Sequence, residues 1–272
     1  MTARQGRFAI LDQFRAEGVR YMFGNPGTVE QGFLDALSEY PDITYVKTLQ
    51  ESIAVGIADG YARATGRLAL VQLHSGVGLG NGIGMLYQAM RGHAPLLVIN
   101  GDAGLRYDAM DAQMAADLVG MAAPVTKWAT RVTHPDSLLR VLRRAIKTAL
   151  TPPMGPVFVS LPMDVLDAPN DEPVVPASVP STRVRPDPDD LAQAARMLAA
   201  ASRPMCIVGD GIAASGAQAE LARVAELAGA EVWGADSSEV NMPAEHPQFR
   251  GLLGHMFGEH SREITVRADV VL

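Results

Sequence analysis

From Tyr21 to Leu161, short apolar runs alternate with stretches of helical periodicity, and this alternation is the strongest constraint on the fold. Tyr21-Met-Phe, Ile43-Thr-Tyr-Val, Leu68-Ala-Leu-Val-Gln-Leu73, Leu96-Leu-Val-Ile99 and Val157-Phe-Val-Ser-Leu161 read as strands. Most are apolar on both faces, the pattern of parallel strands covered by helices above and below. Residues 29–39, 51–65, 80–90 and 137–150 read as helices between them. In the last, Leu138, Leu139, Leu142, Ala145, Ile146 and Ala149 make one apolar face, and Pro135 suits its first turn. The expected fold class is α/β, layered around a parallel sheet.

The pattern breaks between Pro169 and Pro188, where six prolines fall among acidic and small polar residues. This predicts an extended linker, with one domain over 1–168, the linker over 169–188 and a second unit over 189–272. The second unit reads as helix 189–201, strand Met205-Cys-Ile-Val208, a glycine turn, helix 218–228 and strand Glu231-Val-Trp233. It is short for a complete domain, and Ala268-Asp-Val-Val-Leu272 reads as a buried strand cut off. The expectation is the front part of a longer chain.

Composition excludes several classes. Net charge is −7, against a nucleic-acid surface. The densest basic cluster, Arg140, Arg143, Arg144 and Lys147, has helical spacing and reads as a solvated face. Cys206 is the one cysteine, so no internal disulfide forms, and within Met-Cys-Ile-Val it reads as an inert core thiol. His93, His134, His246, His255 and His260 have no partners at ligand or triad spacing, and no metal site is expected in these residues. No run reaches the roughly 18 apolar residues of a membrane span, and the first residues lack a signal-peptide pattern. A cytoplasmic protein with no membrane partner is expected.

Three segments carry candidate chemistry. Glu51 heads an apolar, small-residue helix; apolar surroundings raise carboxyl pKa values in general, so such an acid can share a proton with a bound base. Gly24-Asn-Pro-Gly-Thr28 links a strand to a helix. Thr28 there is either a plain N-cap or, with helix-start N–H groups, a carboxylate contact. His74 ends an apolar strand before the glycine-rich loop Ser75–Gly84, where open α/β sheets place ligand-contacting residues; the alternative is a loop histidine bonded to backbone. The glycines after His74 do not fit G-x-G-x-x-G, since the sixth position from Gly76 is Asn81. Gly209-Asp-Gly-Ile-Ala-Ala214 does fit G-x-G-x-x-A, with Asp236 near the place of a ribose-binding acid, but so short a pattern is weak evidence for a nucleotide. The same Gly-Asp-Gly with Asn241 is rejected as a metal–diphosphate motif.

Taken in order, Phe23-Gly-Asn-Pro-Gly-Thr28, Leu49-Gln-Glu-Ser, Gly56-Ile-Ala-Asp-Gly-Tyr-Ala-Arg63, Leu73-His-Ser-Gly-Val-Gly78 and Gly155-Pro-Val-Phe-Val-Ser-Leu-Pro162 resemble the front half of the thiamine-diphosphate-dependent 2-oxo-acid enzymes of the acetolactate synthase and benzoylformate decarboxylase group. Phe249-Arg-Gly-Leu-Leu253 extends the likeness, which lies nearest the benzoylformate decarboxylase-like members. The resemblance implies a pyrimidine-binding domain followed by an incomplete Rossmann-like α/β central domain. It implies decarboxylation of a 2-oxo acid by addition of the cofactor's ylid and loss of carbon dioxide. Glu51 matches the acid that meets the aminopyrimidine, His74 a proton shuttle, and Thr28 a serine that contacts the substrate carboxylate. Asn25, Pro26 and Gly27 belong to the loop beside the cofactor. Mg2+ and the diphosphate would be held by a C-terminal domain beyond Leu272, and the active site would form between subunits of a homodimer or homotetramer. Two alternatives stand: an acetolactate synthase-type carboligase with a flavin (FAD) or ADP in the central domain, and a non-catalytic regulatory or assembly subunit.

Overall fold

The computed structural model describes residues 4–254 and 258–272, so His255 lies outside the described residues. The chain forms two compact units, Met1–Thr182 and Arg183–Leu272.

In the first unit β1 (Arg4–Gln5), α1 (Gly6–Ala16), β2 (Tyr21–Gly24), α2 (Gln31–Leu37), β3 (Thr44–Lys47), α3 (Glu51–Thr65), β4 (Ala69–His74) and α4 (Ser75–Arg91) follow one another. They are continued by β5 (Leu96–Asp102), α5 (Leu118–Ala122), β6 (Trp128–Arg131), α6 (Leu138–Leu150), β7 (Val157–Pro162), α7 (Met163–Asp167) and β8 (Pro169–Asn170). Six strands make one parallel sheet in the order β3-β2-β4-β5-β7-β6. Five of its strands, all but β6, lie on the apolar runs of the sequence, and β5 and β7 are buried at every position. Two helix layers explain this. Residues of α1, α2 and α6 join one core cluster, including Phe14, Phe33 and Leu142; residues of α3, α4 and α5 join the other, including Val55, Leu86 and Leu118. Each fully buried large apolar side chain in such layers is worth about 1.5–3 kcal/mol relative to exposure.

The chain leaves β2 toward β3 on one side and returns to β4 on the other, so the connections diverge between β2 and β4. Open α/β sheets bind ligands in the crevice at the carboxyl ends of strands where this happens. Here that crevice lies between Gly24 and His74.

Several elements depart from the sequence reading. The Ser75–Gly84 stretch is no flexible loop: α4 starts at Ser75 directly after the strand. Its glycines cost helix propensity, roughly 0.8–1 kcal/mol each against alanine. Gly82 lets α4 lie close to its neighbours, since a Cβ there would stand 3.2 Å from Leu73 Cδ1 and 3.5 Å from Val55 Cγ2. The helix expected over 29–39 divides into a 3-10 turn, Thr28–Glu30, and α2. Strand β6 was not foreseen, because Trp-Ala-Thr-Arg is half-buried throughout and lacks an apolar run. The proline-rich segment is extended, but its first half is bound to the first unit. Pro169 and Asn170 pair with β1, the Glu172 carboxylate accepts Leu139 N and Arg140 N at the start of α6, and Val175 O accepts from Gln13.

The second unit holds α8 (Pro188–Ala200), β9 (Pro204–Val208), α9 (Gly211–Ser215), α10 (Gln218–Ala228), β10 (Glu231–Gly234), β11 (Phe249–Leu252), α11 (Glu259–Thr265) and β12 (Val270–Val271). Its four strands are parallel in the order β11-β10-β9-β12. Cys206 is buried in its small core beside Val208, Leu221, Ala225 and Val232, and burial pushes its thiol pKa up, away from thiolate chemistry.

Candidate active site

Glu51 is the first residue of α3 and is 6% exposed. The helix start is set by Gln50, whose side-chain oxygen accepts Ser52 N at 2.7 Å and Ile53 N at 3.3 Å. Both oxygens of the Glu51 carboxylate are held by amides. Asn25 Nδ2 donates to Oε1 at 3.1 Å and Asn81 Nδ2 donates to Oε2 at 2.9 Å. Asn25 comes from the loop after β2 and Asn81 from the second turn of α4, so three separate elements converge on one carboxylate. Gly78, one turn before Asn81, faces the same group: a Cβ there would lie 3.3 Å from Glu51 Oε1.

A second buried acid, Glu30, follows the loop that bears Asn25. Glu30 is 3% exposed, and His74 Nδ1 stands 2.9 Å from its Oε2, which also accepts Gly27 N at 2.9 Å. Burial pushes the Glu30 carboxyl above its usual range, opposed by the Gly27 N–H and by His74. The contact engages Nδ1 of the ring, which leaves Nε2 as the nitrogen available to a bound molecule. The pair fits only because two neighbours are glycine. A Cβ on Gly27 would fall 2.3 Å from His74 Nδ1, and one on Gly101 would fall 1.9 Å from Glu30 Oε1. In register, His74 pairs with Gly101 across β4 and β5, so the sheet itself brings the three together.

The structure therefore gathers Asn25, Pro26, Gly27, Thr28, Glu51 and His74 at the carboxyl ends of β2 and β4. Thr28 does not cap a helix as the N-cap reading expected: Gly27 occupies the cap position, and its N–H donates to the Glu30 side chain. The Thr28 side chain stays exposed beside the Gly27–His74 contact. His74 is bonded to a carboxylate rather than to backbone. Sequence reasoning missed Glu30 and Asn81. Glu30 had a signal, since an acid three residues after an N-cap reaches back to the cap N–H. Asn81 had only a weaker one, a polar side chain one turn after Gly78.

In the second unit, the Asp210 carboxylate accepts Ser237 Oγ, Ser238 N and Glu239 N at 2.8 to 3.1 Å, and these contacts hold its pKa below the usual carboxylate range. Asn241 Oδ1 accepts Ala213 N. Gly209–Ala214 is thereby tied to the 237–241 turn. His246 Nε2 lies 3.2 Å from Glu226 on the surface, and Arg144 stacks 4.4 Å over the Trp128 ring. Among the described residues, no helix is long and apolar enough to cross a membrane.

Comparison with known proteins matches this geometry to one family. The profile described as thiamine pyrophosphate enzyme, N-terminal TPP binding domain, matches residues 4–121, and that of the thiamine pyrophosphate enzyme central domain matches residues 191–272. The chain is 34% identical over 264 residues to the benzoylformate decarboxylase of Pseudomonas aeruginosa, covering 93% of this chain and 48% of that protein. It is 33% identical over 269 residues to the acetolactate synthase isozyme 3 large subunit of Escherichia coli, covering 97% and 46%. The crystal structure of benzoylformate decarboxylase from Polynucleobacter necessarius superposes with a TM-score of 0.88 at 32% identity, over 98% of this chain and 50% of that one. The chain spans about half the length of these relatives. It belongs to the thiamine pyrophosphate enzyme family, as the N-terminal TPP-binding domain followed by part of the central domain.

Proposed function

We propose that this chain supplies the pyrimidine side of the active site of a thiamine-diphosphate-dependent 2-oxo-acid decarboxylase, nearest the benzoylformate decarboxylase pattern. The observation that carries the reading is the buried Glu51 carboxylate, held by two amides in the switch-point crevice with the His74–Glu30 pair beside it. This donor set fits a nitrogen heterocycle. A carboxylate fixed on both oxygens keeps its orientation toward a ring nitrogen, and the glycine at position 78 leaves its approach open. When bound, the cofactor supplies a nucleophilic carbon and an electron sink for the departure of carbon dioxide. Glu51 holds or releases a proton at the aminopyrimidine, with Asn25 and Asn81 fixing its plane. His74 Nε2 exchanges a proton with the bound substrate, while Glu30 retains the proton at Nδ1. The exposed Thr28 hydroxyl meets the substrate carboxylate, and Pro26 and Gly27 shape the loop beneath it. The diphosphate and Mg2+ fall to protein surface outside these 272 residues.

Assembly as a homodimer or homotetramer, with the active site between subunits, is part of the same proposal. In its support, Ile53 and Ile57 on α3 and Val77 on α4 are apolar yet exposed, on the two helices that carry Glu51 and Asn81.

The comparable identity to acetolactate synthase favours one second reading, a carboligase. Released aldehyde supports the decarboxylase, and an acyloin-type product or a flavin spectrum supports the carboligase. The central test is Glu51→Gln in the complete enzyme. Loss of acid–base catalysis costs about 10²–10⁴ in rate, with the circular-dichroism spectrum retained; an unchanged rate would remove Glu51 from the chemistry.

A further inference from the structure

Arg131, the last residue of β6, is held by two carboxylates at once. Nε and Nη2 donate to Asp102 at 2.7 and 2.9 Å, and Nη1 and Nη2 donate to Asp108 at 2.7 and 2.8 Å. Asp102 ends β5 and is 4% exposed; it also accepts Ser160 Oγ from β7 at 2.8 Å and Gly104 N at 3.1 Å. The guanidinium thus spans the carboxyl end of β7 and reaches out to a half-exposed acid in the connection between β5 and α5. Bidentate pairing of this kind fixes orientation as well as position. The Arg131 hydrogen bonds hold the Asp108 carboxyl below its usual range.

The connection that Asp108 belongs to runs back over the site. Its first turn is anchored by Asp164, which accepts Leu105 N and Arg106 N at 3.0 and 3.1 Å. Further on, Met114 Sδ lies 3.7 Å from Ser75 Oγ, and Ala116 Cβ stands 3.3 Å from where a Cβ on Gly76 would be. Ser75 and Gly76 directly follow His74. Between these two anchorages lies the 3-10 turn Leu105–Met110, which the Asp108–Arg131 bridge ties to β6, and Asp111 just beyond it takes a positive φ of 48°.

We infer that Arg131 is a positioning residue: through Asp108 it locks the 103–116 connection against the start of α4, and so sets the wall of the crevice beside His74 and the room available to the substrate side chain. Its bearing on substrate rests on the function proposed above; the lock itself does not.

The two parts separate experimentally. Hydrogen exchange on the 272-residue chain compares wild type with Asp108→Ala and Asp108→Glu. Asp108 is half-exposed, and the Asp102 contacts to Arg131 and Ser160 do not involve it, so the sheet should be undisturbed in both variants. The expected result is at least a fivefold faster exchange confined to amides 103–116 in the alanine variant, with recovery toward wild type in the glutamate variant. Unchanged exchange there, or acceleration spread evenly through β5 and β7, would overturn the lock. In the complete enzyme, Asp108→Ala should raise KM for 2-oxo acids severalfold, more for bulky than for small side chains, with kcat changed less than twofold. Uniform loss of kcat across substrates would overturn the positioning role. Absence of 2-oxo-acid turnover by the wild-type enzyme would instead overturn the proposed function and leave the exchange result standing.

Discussion

Two acids at the site are buried by different means, and the difference decides what each can do. Glu51 is held by two neutral amides, one donating to each carboxyl oxygen. Glu30 faces a histidine and a backbone N–H, with its second oxygen packed on Gly101. A buried acid whose pKa is raised makes stability depend on pH in a definite sense. With the folded-state pKa of Glu30 above its unfolded value, the native state binds more protons across that interval. Its contribution is fully present below the unfolded value, near pH 4.3 for a typical glutamate, and is lost as pH rises through the folded one. Glu30→Gln should flatten this decline. Urea midpoints measured across the acid-to-neutral range check it, and an identical slope in both proteins would rule out Glu30 as its source. Exposed Asp42 and Asp269, whose partners hold them low, act in the opposite sense and lose their contribution as pH falls.

Among the elements, α3 and α4 are built around the Glu51 carboxylate. Gln50 is an unusual N-cap, yet its amide oxygen takes the first N–H groups of α3 and so fixes the turn that bears Glu51. Gln50→Ala should cost about 1 kcal/mol, as lost caps do, and lower the melting temperature by a few degrees. Because the same turn aims the carboxylate, turnover in the complete enzyme should fall severalfold as well. A loss of stability with unchanged turnover would show that Asn25 and Asn81 alone hold Glu51 in place. Helix α4 gives the complementary case, in which intrinsic propensity is sacrificed for approach. Its glycines read as loop punctuation in the sequence, since helix propensity argues against them. Close packing on β4 and α3 overrides that preference.

At the scale of the whole molecule, the chain holds the acid–base side of the proposed site and none of the surface proposed to take the diphosphate and metal. Most of the cofactor's charge lies in the group left unmet, so these 272 residues should bind thiamine diphosphate weakly and show no turnover alone. Isothermal calorimetry with and without Mg2+ checks this. Tight, magnesium-dependent binding would mean that the metal and diphosphate are met within this chain.

The alternating apolar runs determined the parallel α/β sheet, because buried strands and amphipathic helices leave their period in the sequence. The motifs around Glu51, His74 and Asn25–Thr28 likewise marked segments that meet at one crevice of that sheet. What the sequence could not determine is which polar side chains meet. Glu30 and His74 are 44 positions apart, as are neither neighbours on a helix nor partners across adjacent residues of a hairpin. Asn81 and Glu51 sit on different helices, and Arg131 reaches Asp102 across an intervening strand. Those contacts follow from strand order and register, and from glycines at 27, 78 and 101 that admit groups a Cβ would crowd or exclude. Such close approaches exist only once the sheet and its helices are assembled.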